Sequence, residues 1–312
     1  MTASAAATTE VALTGPLDIA ASVEGFRRWG DDLLDRWDGE VLLRTVRLAG
    51  EAVAVAARPR GTVARPRLQI SVEDDRHLDA AAHAAARWFV TVPPSTLRQL
   101  AGRDPVVAAA EAMFPGVRPV VQPDVLTALV RSISAQQINL RFAAVVRARL
   151  AQRYGRRHEV AGGEVWSLDA QSLAEAHAAD LRALQFTTRK AESIIGIASA
   201  VLGGSLDAEQ LAGLSDEQFV ARLVTLKGVG RWTAEWLLAR TLGRATVVAG
   251  DLGVRKGVGH AYCGGRMPHE DEVRELTAHW GDAAGVAQQL LLHVLVENRW
   301  DELHAAAGTA TR

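Results

Sequence analysis

Apolar residues in the first third of the chain recur at every second position. Over residues 41–57, VLLRTVRLAGEAVAVAA alternates on both sides of Gly50 and Glu51, the pattern of two strands joined by a tight turn. Residues 58–67, rich in Pro, Gly and Arg, read as a loop, and RLQISVE beyond them places Leu68, Ile70 and Val72 on one side of a further strand. The alanine-rich run 78–89 suits a helix packed on that sheet, and the first nine residues are expected to be frayed. After Pro93 and Pro94 the β signal disappears and the apolar spacing becomes helical. Asp124 caps a helix in which Leu126, Leu129, Val130 and Ile133 share a face, running towards Arg153 with a break near Ser134. Further helices are predicted over 172–177, 188–201, 216–226, 232–242 and 286–296, with another after Asp251. The fold class is therefore α+β: an N-terminal α/β domain, 1–92, with an antiparallel sheet, then a mostly helical core, 93–312.

Composition narrows the chemistry. With 312 residues and 48% hydrophobic content, the chain can bury a substantial core. It offers no uninterrupted apolar run of membrane-spanning length and no basic residue before Arg27, so neither a spanning helix nor a secretory signal is expected. Cytoplasmic location without membrane contact follows as the default. The single cysteine, Cys263, excludes four-cysteine zinc and iron–sulfur sites within one chain. Net charge is −1, but its distribution is uneven. Residues 125–158 hold seven arginines and no acid, and 219–262 hold seven basic residues against Glu235 and Asp251. A polyanion is drawn to two segments, although solvated helix faces account for the same counts.

The informative stretch is LVTLKGVGRWTAEWLLARTLGRATVVAGDLGVRKGVG, residues 223–259. Its first half reads as helix, LKGVG hairpin, helix. Gly228 and Gly230 allow a tight turn with bare N–H groups beside the next helix's N-terminus, and Lys227 and Arg231 add charge on either side. Such a feature holds a phosphate; an ordinary helix–helix connection uses the same residues. Asp251 reads as a helix N-cap, and equally as a carboxylate at a pocket mouth that stabilises a developing cation or orients a water.

The pattern LxxLxGVGxWTAxW followed by GDLGVRKG, with VRSISAQQIN (130–139) and ALQFTTRKAESIIGIA (183–198), resembles the helix–hairpin–helix DNA glycosylase superfamily, in particular its bacterial inducible 3-methyladenine DNA glycosylases (glycosylase II). The resemblance implies a glycosylase core containing the hairpin at 219–242 behind the N-terminal domain. It implies Asp251 as catalytic, and Lys227, Gly228, Val229, Gly230, Arg231 and Thr233 as contacts to the DNA backbone. Trp236 is the expected wall for an everted base, a buried core tryptophan being its other reading, and Gln136 and Gln137 form the wedge, a polar surface pair being the other reading of the two glutamines. A monovalent cation (Na or K) held by the carbonyls of Leu226 and Val229 is also implied, with no other cofactor. Where strand-cleaving members carry a lysine, this chain has Trp232, which cannot form a Schiff base; Trp232 itself is expected in the core, as is a hydrogen-bonded His293. Leu295 replaces a family tryptophan of the base pocket, so its cation-stacking surface is missing.

The expected activity is therefore hydrolysis of the N-glycosidic bond of alkylated purines (3-methyladenine, 7-methylguanine) in duplex DNA, leaving an abasic site in base excision repair. No lyase step is expected. The alternatives are a glycosylase for deaminated or oxidised purines and a non-catalytic damage-binding protein. Double-stranded DNA containing damaged bases is the expected partner, bound by a monomer at the nucleoid.

Overall fold

The alternating stretches pair into one antiparallel sheet. The computed structural model, which describes residues 7–308, orders its strands β1-β5-β4-β3-β2. They are β1 Thr8–Ala12, β2 Asp35–Trp37, β3 Leu42–Leu48, β4 Glu51–Thr62 and β5 Arg65–Val72. The β3–β4 turn is Ala49–Gly50, both at positive φ, as a two-residue hairpin turn requires. Leu68, Ile70 and Val72 are buried on one face of β5, as their alternation predicts. The frayed start is corrected for Thr8 and Thr9, which pair with Ser71 and Ile70; residues 1–6 lie outside the described residues.

Two expectations about strands are corrected. Residues 58–67 are mostly strand, with the turn at 63–64 only. Beyond Ala57, β4 loses β3 as a neighbour and pairs with β5 alone, so Pro59 and the surrounding arginines lie on a one-sided edge that tolerates them. Within the helical part a second hairpin forms, β6 Gly155–Val160 and β7 Gly163–Leu168. Val160 and Val165 pack with Val41, Ala54 and Ala56, covering the sheet face opposite its main core. The helix Leu78–Ala85 covers the other face and is shorter than the alanine-rich run 78–89 suggested.

The helices gather around two cores. One uses residues between Val125 and Leu238; the other joins Leu97–Val117 to Ala249–Leu303, so the chain leaves this second core and returns to it. The predicted helix from Asp124 breaks at residues 136–139 into Val125–Ala135 and Leu140–Tyr154, capped by Asp124 and Asn139. Among the described residues no helix is long and apolar enough to cross a membrane.

Candidate active site

The hairpin is framed by two helices, Asp216–Leu223 and Arg231–Thr241. Ser215 and Gln218 form a reciprocal capping box on the first. The second has Gly230 as N-cap and no side-chain cap, so its first N–H groups are left for an external acceptor. Gly228 has φ +82°, and a Cβ there would lie 2.3 Å from Ser193 Oγ. In front of Gly230 the space is open. The flanking cations are exposed but already paired: Lys227 Nζ lies 2.6 Å from Glu192 Oε2 and Arg231 Nε 2.8 Å from Glu235 Oε1. The expected backbone contact at Thr233 is corrected. Thr233 is 1% exposed and its hydroxyl accepts a 3.2 Å hydrogen bond from Ser132, because two positions beyond Arg231 the helix turns inward onto Val125–Ala135.

Asp251 caps the helix Leu252–Tyr262, its Oδ1 accepting from Val254 N at 3.0 Å. Its Oδ2 accepts from Trp232 Nε1 at 3.3 Å. Capping fixes the carboxylate and leaves it lining a cleft of about 1210 Å³. Trp232, Gln136, Gln137, Arg240, Lys256, His293 and Leu295 line the same cleft. The structure thus brings together Asp251, both wedge candidates and Leu295. The two tryptophans differ from expectation: Trp232 faces the cleft, whereas Trp236 packs against the core that holds Leu237 and Leu238 and is absent from the cleft wall.

Gln136 is the C-cap of its helix and donates from Nε2 to the Gly228 carbonyl at 3.2 Å, tying the wedge segment to the hairpin. Gln137 follows at φ +58° and is exposed at the cleft lip. Burial pulls the Arg240 guanidinium down to about 10 while the Asp251 charge opposes the fall, so the cleft keeps a fixed positive charge at neutral pH. Arg240 also donates to Gln289 Oε1 at 2.6 Å. His293 is not held by hydrogen bonds among the described residues; it packs edge-on against Phe114, and burial lowers its pKa, keeping it neutral. At the hairpin, Leu226 O accepts from Val229 N at 3.1 Å, which leaves one lone pair on that carbonyl.

Sequence reasoning missed the cleft's other wall. Glu24, Gly25, Arg28 and Trp29 line it from the N-terminal segment, where the only available signal was an exposed aromatic after a short basic helix. The arrangement combines a carboxylate beside an indole N–H, an open helix N-terminus and a polar side chain in strained backbone at the rim. It suits a ligand that is anchored outside and inserts one group into the cleft.

Comparison with known proteins agrees with this geometry. The model for "HhH-GPD superfamily base excision DNA repair protein" matches residues 130–282. A DNA-3-methyladenine glycosylase of Bacillus subtilis is 29% identical over 199 residues, covering 63% of this chain and 66% of its own length. The chain thus spans just under two thirds of that curated relative. The solved 3-methyladenine DNA glycosylase of Archaeoglobus fulgidus superposes with TM-score 0.78 at 25% identity, covering 93% of this chain and 98% of that one. An 8-oxoguanine glycosylase/lyase from Clostridium acetobutylicum, solved with DNA, shares the fold at TM-score 0.71 and 16% identity, over 91% of this chain and 93% of its own.

Proposed function

We propose that the chain, whose residues 130–282 match the HhH-GPD superfamily of base excision DNA repair proteins, is a monofunctional DNA glycosylase acting on alkylated purines, 3-methyladenine and 7-methylguanine, in duplex DNA. The observation that carries this reading is Asp251. Its carboxylate is fixed by capping, lies against the Trp232 N–H, and lines a cleft shared with a wedge segment bonded to the hairpin.

The N–H groups at the start of Arg231–Thr241 hold a phosphate, while Gln137 fills the space left by the everted nucleotide. The C1′–N bond breaks with its electron pair departing on the purine, and the sugar becomes cationic. Asp251 stabilises that charge through space. Water then bonds to C1′ and gives up a proton to bulk solvent, leaving an abasic site. A purine made cationic by alkylation leaves without strong general-acid help, which suits a cleft whose one histidine is neutral. The Leu226 and Val229 carbonyls would hold a monovalent cation at the hairpin, which would supply positive charge beside the phosphate. The Leu226 carbonyl has a lone pair to spare for it. The protein acts as a monomer at the nucleoid.

Absence of lyase chemistry rests on Trp232, which stands directly after Arg231 and carries no amine. Among the described residues Lys256 is the one lysine lining the cleft, so borohydride trapping on abasic duplex is the direct check; a covalent adduct at Lys256 overturns the monofunctional assignment.

The test of the whole reading is chromatographic identification of bases released from methylated, deaminated and oxidised duplexes. Wild type is expected to release methylated purines. Asp251→Asn keeps a competent cap and the hairpin, so duplex binding persists while release falls by about a hundredfold or more, the worth of a charged transition-state contact. Leu292, Leu295 and Val296 give the cleft an aliphatic wall, which supports a second reading in favour of neutral deaminated or oxidised purines. Preferential release of hypoxanthine or an oxidised base selects it, and binding without any release selects a non-catalytic protein.

A further inference from the structure

The segment that carries Gln137 has no regular structure of its own, yet three hydrogen bonds hold it and the helix end that leads into it. Lys190 Nζ donates to Ser134 O at 2.9 Å and to Gln136 O at 2.6 Å, closing the end of the helix Val125–Ala135. Those carbonyls belong to the last turn, where helix carbonyls lack intrahelical partners and a cation is favoured. Gln136 Nε2 then reaches the Gly228 carbonyl at 3.2 Å. Lys190 lies in the first turn of Thr188–Leu202, and the same helix supports the hairpin through Glu192, paired with Lys227, and Ser193, whose Oγ fills the space beside Gly228.

One helix therefore supports both the phosphate anchor and the wedge. Burial depresses the Lys190 pKa, and among the described residues none of its partners is a carboxylate, so the ammonium is held there by carbonyl dipoles. A lysine kept there at a desolvation cost, with one backbone oxygen from the helix end and one from the wedge segment as its ligands, fixes where that segment stands relative to the hairpin.

We propose that Lys190 is a positioning residue for base eversion: it locks the segment 136–139 to the hairpin, so that Gln137 enters the duplex at a fixed distance from the bound phosphate. This rests on the glycosylase reading above and deepens it. Lys190 is not among the residues that line the cleft. Its contribution is confined to substrates in which the base must be driven out of an intact stack.

That confinement supplies the test. Single-turnover base release is measured on a duplex with the alkylated purine opposite its normal partner, and on the same lesion opposite an abasic-site analogue, where eversion costs less. For Lys190→Met, release from the paired duplex is expected to fall about tenfold, the equivalent of one or two net hydrogen bonds, while release from the unpaired context changes less than about twofold. Lys190→Arg, which keeps the charge and donors, should recover most of the loss. Equal losses on both substrates, or no loss on the paired one, overturn the proposal while leaving the glycosylase reading intact. No release by wild type from either substrate brings down the glycosylase reading, and this inference with it.

Discussion

A methyl group on Gly228 would be fixed at φ +82° and pressed to 2.3 Å from Ser193 Oγ, whereas one on Gly230 would meet ordinary backbone angles and empty space. The two glycines of the hairpin thus serve different ends. Gly228→Ala is expected to destabilise the protein by about 1–3 kcal/mol, the range for a strained non-glycine backbone, visible as a lowered denaturant midpoint. Gly230→Ala should leave that midpoint within about 0.5 kcal/mol but weaken duplex binding by about fivefold to tenfold, because a methyl then stands where a phosphate meets the helix N-terminus. If Gly230→Ala binds duplex as wild type does, the phosphate does not approach there. The sequence made both glycines visible and could not separate them, since the distinction lies in Ser193, thirty-five positions upstream.

Among the elements, the helix Arg231–Thr241 shows where periodicity stops being informative. Trp232 and Trp236 are one turn apart and share a face, so spacing alone leaves open which of them meets the cleft. What decides it is the start of Leu252–Tyr262, whose cap Asp251 comes alongside Trp232 and accepts from its indole. That contact joins residues nineteen positions apart, and no local pattern encodes it. Trp232→Phe is therefore expected to reduce base release about tenfold, the cost of losing one hydrogen bond to a charged group, with little change in stability. Trp236→Ala, which empties part of the core around Leu237 and Leu238, should cost stability instead, about 3 kcal/mol. Equal effects of the two substitutions on release would mean that the cleft extends to Trp236. By contrast, the caps at Asp124 and Asp251 were legible, because a short polar side chain before an apolar run is a local signal.

For the whole molecule, the junction between sheet and helices is a buried ionic network that the charge count disguised. The arginines of 125–158 read as an exposed basic stripe, yet Arg131 and Arg147 turn inward. Arg131 grips Asp32 with two 3.0 Å hydrogen bonds and also reaches Asp35 and Gln122; Arg147 reaches Asp32 Oδ2 at 2.9 Å and Ser134 Oγ at 3.0 Å. Asp32 and Asp35 come from the N-terminal segment, and Arg131 and Ser134 from the helix that ends at the wedge, so the network ties the two parts of the chain just behind the cleft. Burial would raise the Asp32 carboxyl, but the Arg131 and Arg147 guanidiniums outweigh it and hold the group well below the usual carboxylate range. A carboxyl lowered in the folded state contributes stability that is fully present above its unfolded value, about 3.9, and is lost as pH falls below it towards the folded value. Asp32→Asn leaves two buried guanidiniums short of their partner and is expected to cost about 3–5 kcal/mol at neutral pH. Its stability should also decline less steeply than wild type on acidification below about pH 4. Denaturant unfolding followed from pH 7 down to pH 3 checks both; parallel wild-type and variant curves would show that Asp32 gains nothing from its arginines.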